Sequence, residues 1–543
     1  MGKKKRQTIS SAKSEAPEQI QVPPSAPSFF QGMTNSKALL ITLFFAAASY
    51  IFSYFYTSFY QGEEGAQYMN ALGFWHSHSS ILGNWPKTGW KIIYAPIVLF
   101  GKDGVLIANC LFSAFTAYFT YKTACRIISK PSALPMLLLF SQTLWFILSF
   151  KFYSEILTAF FISVAIYCYY NGRYILFSLF LSYILILRQE FIFIIPYFAI
   201  VLFRKKKWLP LVLLGLFPFL YNLWGWYVTG DALYALHESR QAAALYKNSY
   251  PRQGFDHYFL MSGTIFNYIV ITLVVAYLAQ LLFRLDKKPL YPILVPAIGF
   301  FLVHCLFNLK AVKILTSTGG NLRYMLVISP LMALLAAKAA DNFSLSRKRL
   351  TPLIFLIPLF IVVISTMTYP NNLVTFDKDS FDRDFLPALF CGLTILLTSV
   401  FGTARKLNLC LGILCIGSML LTIKPNELCC NENFEQKKIV EYVKDSKLDS
   451  HPIYQSLALF NYFYGKNPWD FKAGNFAIGG DSSISKAPKG SIIIWDSHYA
   501  VKYGNLQLDY FNKNVKDFKV IKQFTSEDNA FAAILFEKIA ESH

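Results

Sequence analysis

The sequence predicts an α-helical polytopic membrane protein with about 13 membrane-spanning helices and a small C-terminal α/β domain outside the cytosol. Of the 543 residues, 55% are hydrophobic and only 15% are charged, and the mean hydropathy is +0.39. Many apolar runs approach the ~20 residues that a helix needs to cross a hydrocarbon core. Helices are expected there because they satisfy their own backbone hydrogen bonds. Such runs stop after residue 425.

The apolar runs define thirteen predicted helices in a membrane domain over residues 38–425. They span 38–56, 104–122, 134–151, 154–170, 174–188, 190–203, 208–228, 264–283, 289–308, 324–340, 351–369, 386–401 and 407–423. The runs at 174–188 and 190–203 would be too long for one crossing if they were joined. Charged residues also fall at their junction, so the sequence predicts a break there.

Basic residues predict the orientation of these helices. The net charge is +20, but the lysines and arginines are dispersed between apolar runs, which is typical of loop charges and not of nucleic-acid binding. With the N-terminus in the cytosol, "RKKK" at 204–207 and "SRKR" at 346–349 fall inside, as the positive-inside rule requires. We therefore expect a multi-pass protein that contacts membrane lipids and no nucleic acid. The "RKKK" run and the Lys-, Asn-, Phe- and Tyr-rich composition favour a bacterial inner membrane, with the endoplasmic reticulum as the alternative. The loop 57–103 then lies outside the cytosol.

The two ends of the chain differ from the membrane domain. Residues 1–37 are basic and then rich in Pro and Ser, which predicts a disordered cytosolic tail. Residues 426–543 alternate strand-like and helix-like segments and end in a predicted hairpin, which indicates an extracytoplasmic α/β domain. The consecutive Asp496, Ser497 and His498 invite a catalytic interpretation. A strand that ends in a turn is the better one, because adjacent strand side chains point to opposite faces.

The loop 57–103 brings acidic residues to the outer membrane surface. Glu63 and Glu64 are adjacent in "YQGEEGAQY", and Lys87, His76 and His78 follow. A carboxylate here could act as a general base, although a solvated loop position explains the acids too, Glu63 more readily than Glu64. The two histidines could bind a divalent metal together with one of the glutamates. The sequence supplies no further ligand, so metal dependence stays open and no other cofactor is indicated.

Charged residues at predicted helix ends complete the candidate site. Arg188 and Glu190 interrupt the apolar stretch "ILILRQEFIFIIP", and charges at that depth are costly and usually serve a site. Arg323 follows a Gly-Gly pair that permits close backbone approach. Arginine suits bidentate phosphate binding, while snorkelling to the interface is the plain alternative. Glu155 lies four residues after Lys151, and a helix-surface ion pair between them is the plain alternative there.

The order of these features resembles the GT-C membrane glycosyltransferases, the class of protein O-mannosyltransferases and lipid A aminoarabinose transferases. In that class a long outside loop with an acidic motif follows the first helix, as "YQGEEGAQY" does here. "FKFYSEILTAFF" is similar to the acidic turn between helices three and four, and "GGNLRYMLVISPL" to an arginine-led helix. "LRQEFIFIIPY" resembles an Arg-Pro-Glu type turn with Gln189 in place of the proline. The resemblance covers most of residues 38–425, with Glu-Glu where many members have an aspartate.

The resemblance implies an inverting glycosyltransferase. Its donor would be a sugar on a polyprenyl phosphate, and its acceptor a lipid, a glycan or a protein outside the cytosol. A lipid-borne donor also fits an outward site because nucleotide sugars are generally cytosolic, and the sequence has no GxGxxG or P-loop. The expected roles are the general base (Glu64 or Glu63), the donor-phosphate ligands (Arg188, Arg323, Lys87) and supporting residues (Glu190, Glu155, His76, His78).

Two other functions are compatible with the sequence. A transporter or lipid flippase would also have many helices and buried charges, but transporters usually show paired halves with interrupted helices at matching positions. No such repeat is visible here. A non-catalytic membrane subunit would bind a partner through its C-terminal domain. Transfer activity and its dependence on Glu63 and Glu64 distinguish these alternatives from the enzyme.

Overall fold

The computed structural model describes residues 33–55, 63–83, 87–129, 132–246, 252–286, 288–309, 320–345, 369–370, 381–382, 386–401, 403–422, 431–527 and 529–541. The membrane domain is helical. Its helices are α1 (Asn35–Ser53), α2 (Glu63–Gly73), α3 (Thr88–Ile97), α4 (Gly101–Ile127), α5 (Leu134–Phe140), α6 (Thr143–Leu148), α7 (Ser154–Tyr170), α8 (Tyr174–Leu187), α9 (Ile195–Arg204), α10 (Trp208–Leu213), α11 (Leu216–Thr229), α12 (Tyr234–Tyr246), α13 (His257–Phe266), α14 (Tyr268–Leu282), α15 (Tyr291–Phe307), α16 (Ser329–Leu345), α17 (Leu386–Val400) and α18 (Ala404–Thr422).

Several of the described helices can cross a membrane. Four helical segments are long and apolar enough by themselves: Asn35–Ser53, Thr88–Ile127, Leu322–Phe343 and Ala404–Leu421. The bent pair α13–α14 makes a fifth if it is counted as one span, and shorter apolar helices surround these. The chain is therefore an integral membrane protein, as predicted, whereas the number thirteen stays a prediction. In the segment Leu322–Phe343, 94% of the most apolar 18-residue stretch is buried, against 39% or less in the other three segments, so this segment lies in the interior of the domain.

The bounds agree with most of the sequence predictions. The predicted break after residue 188 is confirmed: α8 ends at Leu187, a 3-10 turn covers Gln189–Phe193, and α9 follows with Pro196 near its start. Proline fits there because the first turn of a helix needs no N–H donor from it. The predicted helix 134–151 is divided into α5 and α6. The helix predicted at 351–369 lies outside the described residues except for Tyr369, which lies in a two-residue strand.

The predicted single helix 264–283 is wrong, because the chain turns sharply inside it. Helices α13 and α14 meet at Asn267 at an angle of 118°. Asn267 has φ +70°, a backbone conformation that a helix cannot contain. Its side chain stabilises the turn: Nδ2 donates to the Ser141 carbonyl at 2.8 Å and to Oγ of Ser418, and Oδ1 accepts from the N–H of Ile269 at 2.9 Å. Contacts with residues that are distant in the sequence thus stabilise a turn where the apolar run predicts a continuous helix.

Substitution of Asn267 should separate backbone strain from hydrogen bonding. We expect Asn267→Leu to lower the free energy of unfolding by about 3 kcal/mol, because it adds strain at a positive φ to the loss of the side-chain hydrogen bonds. Asn267→Gly loses the same hydrogen bonds without strain, so its effect should be about 1 kcal/mol smaller. Thermal unfolding midpoints in one detergent measure both. A leucine variant at least as stable as the glycine variant would contradict this explanation.

The C-terminal unit is a small α/β domain, as the sequence predicts. Its elements are α19 (Asn431–Asp445), β3 (Ile453–Gln455), α20 (Phe460–Tyr464), β4 (Asn475–Ala477), α21 (Asp481–Ser485), β5 (Ile492–Asp496), α22 (Tyr499–Lys502), α23 (Leu508–Lys513), β6 (Phe518–Thr525) and β7 (Ala532–Lys538); β1 (Tyr369–Pro370) and β2 (Phe381–Asp382) pair separately. The five-stranded sheet has the order β4-β3-β5-β7-β6. Strands β4, β3 and β5 are parallel, and β5, β7 and β6 are antiparallel.

The acid at the end of β5 has a structural role. The Asp496 carboxylate accepts hydrogen bonds from the backbone N–H groups of His498 at 2.9 Å and Ala500 at 3.0 Å, and also from that of Tyr499. Such bonds cap the start of α22. This confirms the interpretation of "WDSHY" as a strand end that runs into a turn.

Candidate functional site

Glu155 is the centre of a buried charge cluster at one end of the membrane domain. It lies in the first turn of α7, where the helix dipole favours a negative charge, and only 1% of it is exposed. Its Oε1 atom lies 3.2 Å from Nη1 of Arg188 and 3.3 Å from Nε of Arg323. Ser154 Oγ donates to Oε2 at 3.4 Å. One carboxylate therefore holds two arginines from different parts of the chain. Lys151 precedes the start of α7, so it does not share a helix surface with Glu155, and the suggested ion pair itself stays a prediction.

Arg188 reaches the cluster from the break between α8 and α9. Its backbone is extended, at φ −145° and ψ 99°, so α8 ends there and the side chain turns towards α7. The guanidinium lies 4.4 Å from the centre of the Tyr324 ring, and Nε lies 3.7 Å from Oε2 of Glu190. The residue is 4% exposed, yet within the described part of the chain no atom accepts a hydrogen bond from Nη2. This buried donor is available to a ligand.

Arg323 reaches the cluster from the turn before α16. The Asn321 side chain accepts a hydrogen bond from its backbone N–H at 3.2 Å and thereby starts the 3-10 segment Leu322–Ile328. The preceding Gly320 has φ +71°, and a Cβ there would approach the His257 ring within 2.6 Å, which explains the glycine. The Arg323 guanidinium lies 4.3 Å from the centre of the Tyr153 ring. Stacking and the Glu155 contact fix its orientation together.

Glu64 joins the same cluster through Tyr153. It lies in α2 and is only 3% exposed, and Tyr153 Oη donates to its Oε1 atom at 3.4 Å. Tyr153 thus contacts Glu64 with its hydroxyl and Arg323 with its ring. Lys151, two residues before Tyr153, is buried as well. The side chain of Glu63 is not among those that the structure describes, so its proposed role is neither supported nor opposed.

Lys87 is within electrostatic range of the other acid of the cluster, Glu190. It directly precedes α3, at the end of the loop 57–103, and is half-buried. Burial lowers the pKa of its ammonium group, and the carboxylate of Glu190 counteracts this effect. With Lys151, the described side chains of the cluster include four basic and three acidic residues, and the basic ones suit an anionic ligand.

The two histidines of the loop lie apart from this cluster. The His76 ring stacks on Trp469 of the C-terminal unit with a centroid distance of 4.1 Å, and His78 contacts Phe74. Among the residues that the structure describes, no three His, Cys, Asp or Glu side chains form a group that could hold a metal ion. The described residues thus provide no further ligands that would complete a metal site with His76 and His78.

Sequence reasoning missed the aromatic residues that connect the charges. Tyr153 and Tyr324 contact the arginines, and Tyr153 also contacts Glu64. His304 of α15 lies close by, with its ring centre 6.1 Å from that of Tyr324. Tyr153 and Tyr324 are sequence neighbours of Glu155 and Arg323, which is the one signal that could have indicated them. His304 lies inside an apolar run and gives no signal except that it is a buried polar residue.

Solved structures provide the comparison. Two crystal structures of ArnT from Cupriavidus metallidurans, one bound to undecaprenyl phosphate and one in the apo state, are similar to this chain, with TM-scores of 0.55 and 0.58. Each alignment covers 92% of this chain, and the two alignments cover 97% and 98% of the respective ArnT chains. The aligned sequences are 10% identical in both cases. No protein-family model and no curated protein matches the sequence. The chain therefore has the fold of these ArnT structures.

Proposed function

We propose that the protein is a membrane glycosyltransferase that moves a sugar from a polyprenyl-phosphate donor to an acceptor on the extracytoplasmic side. The observation that carries this proposal is the pair of buried arginines on Glu155, next to the buried acid Glu64. Two arginines at fixed positions suit a phosphate, and a nearby carboxylate suits a hydroxyl that has to lose its proton. The shared fold adds support, because one ArnT structure is bound to undecaprenyl phosphate.

The residues suggest a direct displacement. Glu64 would take the proton of the acceptor hydroxyl as its oxygen attacks the anomeric carbon of the sugar. The bond between that carbon and the phosphate oxygen breaks, so the anomeric centre inverts. The donor phosphate is a diester with one negative charge, and it leaves as a monoester that gains a second. Arg188 and Arg323, with Lys87, would stabilise that added charge, which is the largest usual contribution of a site of this kind.

The residues around the arginines would keep them in place before the donor binds. Glu155 neutralises one positive charge and restrains both guanidinium groups. Tyr153 and Tyr324 cover their flat faces. A site that is already organised loses no energy to rearrangement when charge develops on the phosphate. Glu190 would orient Arg188 from its other side.

The proposal is tested by a transfer assay with Glu64→Gln. Membranes that contain the chain receive labelled polyprenyl-phosphate sugars or, separately, nucleotide sugars. We expect transfer from the lipid donor only, and a loss of about a hundredfold in Glu64→Gln, because glutamine keeps the shape of the side chain but cannot accept the proton. Glu63→Gln is the comparison variant: full transfer in it would assign the base to Glu64, and a loss in it alone would assign the base to Glu63. Equal activity of Glu64→Gln and wild type would remove Glu64 from the mechanism, and no transfer from any donor would overturn the function.

One observation favours a transporter as the second candidate. The sharp break between α13 and α14 is the type of interrupted helix that many transporters use to bind substrates. Its polar contacts go to Ser141 and Ser418, however, and not to the charge cluster. Uptake or flipping of a lipid phosphate in proteoliposomes, without any sugar transfer, would favour this alternative.

A further inference from the structure

A segment of the C-terminal unit packs on the helix that carries Glu64. This segment, residues 459–464, contains α20 and is called the lid below. The lid contacts α2 of the membrane domain at Gly65 and at Tyr68, whose ring centre lies 5.7 Å from that of Tyr462. The two units are thus joined directly beside the candidate base.

The contact at Gly65 leaves no room for a side chain unless Leu459 moves. A Cβ atom at Gly65 would overlap Cδ2 of Leu459 and would lie 3.0 Å from Cγ of Tyr462. The other glycine of the same helix, Gly73, has more room, because a Cβ there would lie 3.7 Å from the Trp469 ring, an ordinary contact. The lid therefore lies on α2 at the residue that follows Glu64.

Lys102 of α4 holds the lid from the membrane domain. Its Nζ atom donates a hydrogen bond to the carbonyl oxygen of Tyr462 and lies 3.8 Å from the centre of the same ring. Phe152 contacts the ring as well, with a centroid distance of 6.4 Å. Tyr462 is therefore fixed by a cation, by aromatic edges and by the close approach to Gly65.

These contacts place Tyr462 close to the candidate base. Burial raises the pKa of the Tyr462 phenol, and the negative charge of Glu64 adds to the increase. Glu64 itself is 3% exposed. An acceptor hydroxyl has to touch a general base to lose its proton, so a buried base beside a docked segment needs that segment to move.

We propose that the lid controls access to Glu64, and that the acceptor enters between α2 and the lid when the lid leaves Gly65. This inference rests on the proposed function for the identity of the incoming molecule, an acceptor with a free hydroxyl. The described structure is the closed state. The arginine cluster connects to Glu64 through Tyr153, whereas the lid contacts α2 at Gly65 and Tyr68, so donor and acceptor would reach the base along different contacts.

A cysteine at position 64 reports how accessible this position is, and the measurement does not require enzymatic activity. Glu64→Cys is labelled with a membrane-impermeant maleimide, and the wild-type chain, which has nine cysteines, gives the blank. We expect slow labelling with the native lid. Adding Gly65→Ala should accelerate it by roughly tenfold, because the new methyl group overlaps the lid and overpacked contacts open. Lys102→Met should accelerate it too, through loss of the bonds to Tyr462 and without any change in α2.

Two controls keep the result specific. Gly73→Ala adds the same methyl group to the same helix where there is room, and should leave the labelling rate unchanged. Leu459→Ala in the Gly65→Ala background removes the atom that the methyl group overlaps, and should return the rate towards that of the reporter alone. Labelling that is fast with the native lid, or that neither Gly65→Ala nor Lys102→Met changes, would overturn the proposal.

The transfer assay then tests the acceptor route separately. In otherwise wild-type protein, Gly65→Ala should change KM for the acceptor several-fold and leave KM for the lipid donor unchanged. A changed donor KM with an unchanged acceptor KM would overturn the assigned entry route. If the wild type transfers no sugar at all, the proposed function fails, while the labelling result still decides whether the lid covers residue 64.

Discussion

Replacement of Glu155 by glutamine should abolish most of the transfer and destabilise the protein as well. The change removes the one charge that both Arg188 and Arg323 contact. Arg323 then loses its 3.3 Å contact with a carboxylate, and Arg188 keeps only the longer 3.7 Å contact with Glu190. Breaking a buried ion pair from one side costs about 3–5 kcal/mol. Since each arginine would lose its orientation towards the phosphate, we expect transfer to fall about a thousandfold.

Glu190→Gln is the matched control for this prediction. Glu190 also lies beside Arg188, but at 3.7 Å from one nitrogen, and its side chain is 22% exposed against 2% for Glu155. Its removal leaves Arg188 paired with Glu155, so we expect a loss of transfer of about tenfold and little change in the thermal midpoint. Initial transfer rates and unfolding in the same detergent measure both variants.

The comparison of Glu155→Gln with Glu190→Gln, in both transfer rate and thermal midpoint, decides between two roles for Glu155. If Glu155 acts only in folding, Glu155→Gln protein that is still folded at the assay temperature should transfer at a rate close to wild type. If it organises the arginines, folded protein should stay inactive. Similar stability and activity of Glu155→Gln and Glu190→Gln would contradict the central position assigned to Glu155.

Much of the fold could be predicted because it depends on local patterns. Apolar runs correspond to described helices at 154–170 and 174–188 within a residue or two, and the break after Arg188 follows from charge placement. Asn267 shows where such reasoning stops. Its positive φ is stabilised by Ser141 and Ser418, which lie more than a hundred positions away in the chain. No local pattern in "TIFNYIVITL" reveals those contacts.

The sequence predicted which charged residues belong to the candidate site, but not which of them contact one another. The charged residues at helix ends were identifiable because charges in apolar surroundings are costly. The sequence could not show that Glu155 binds both arginines, since its neighbour Lys151 offered a simpler partner at helical spacing. The lid was out of reach for the same reason: Gly65 and Leu459 are almost four hundred residues apart, and only the structure brings them together.

Replacement of Arg188 by lysine should weaken donor binding although the positive charge remains. Lysine can keep one contact to Glu155, but it has no planar group to stack on Tyr324 and no second nitrogen in the position of Nη2. That nitrogen is the buried donor with no acceptor in the described structure, and we assign it to the phosphate. Hydrogen bonds to charged groups contribute about 1.5–3 kcal/mol, so we expect Kd for a polyprenyl phosphate to rise about 10- to 100-fold.

Arg173→Lys provides the control, because Arg173 precedes the opposite end of the same helix and is exposed. It should bind the lipid like wild type. Titration of each purified variant with a short-chain polyprenyl phosphate, followed by intrinsic tryptophan fluorescence, gives the Kd values directly. Equal affinity of Arg188→Lys and wild type would mean that charge alone recruits the donor, and that the geometry of Arg188 serves the transition state. In that case the rate of sugar transfer from the bound polyprenyl-phosphate sugar should fall instead. We expect a decrease of about a hundredfold, which is the usual contribution of one well-placed hydrogen-bond donor in a transition state.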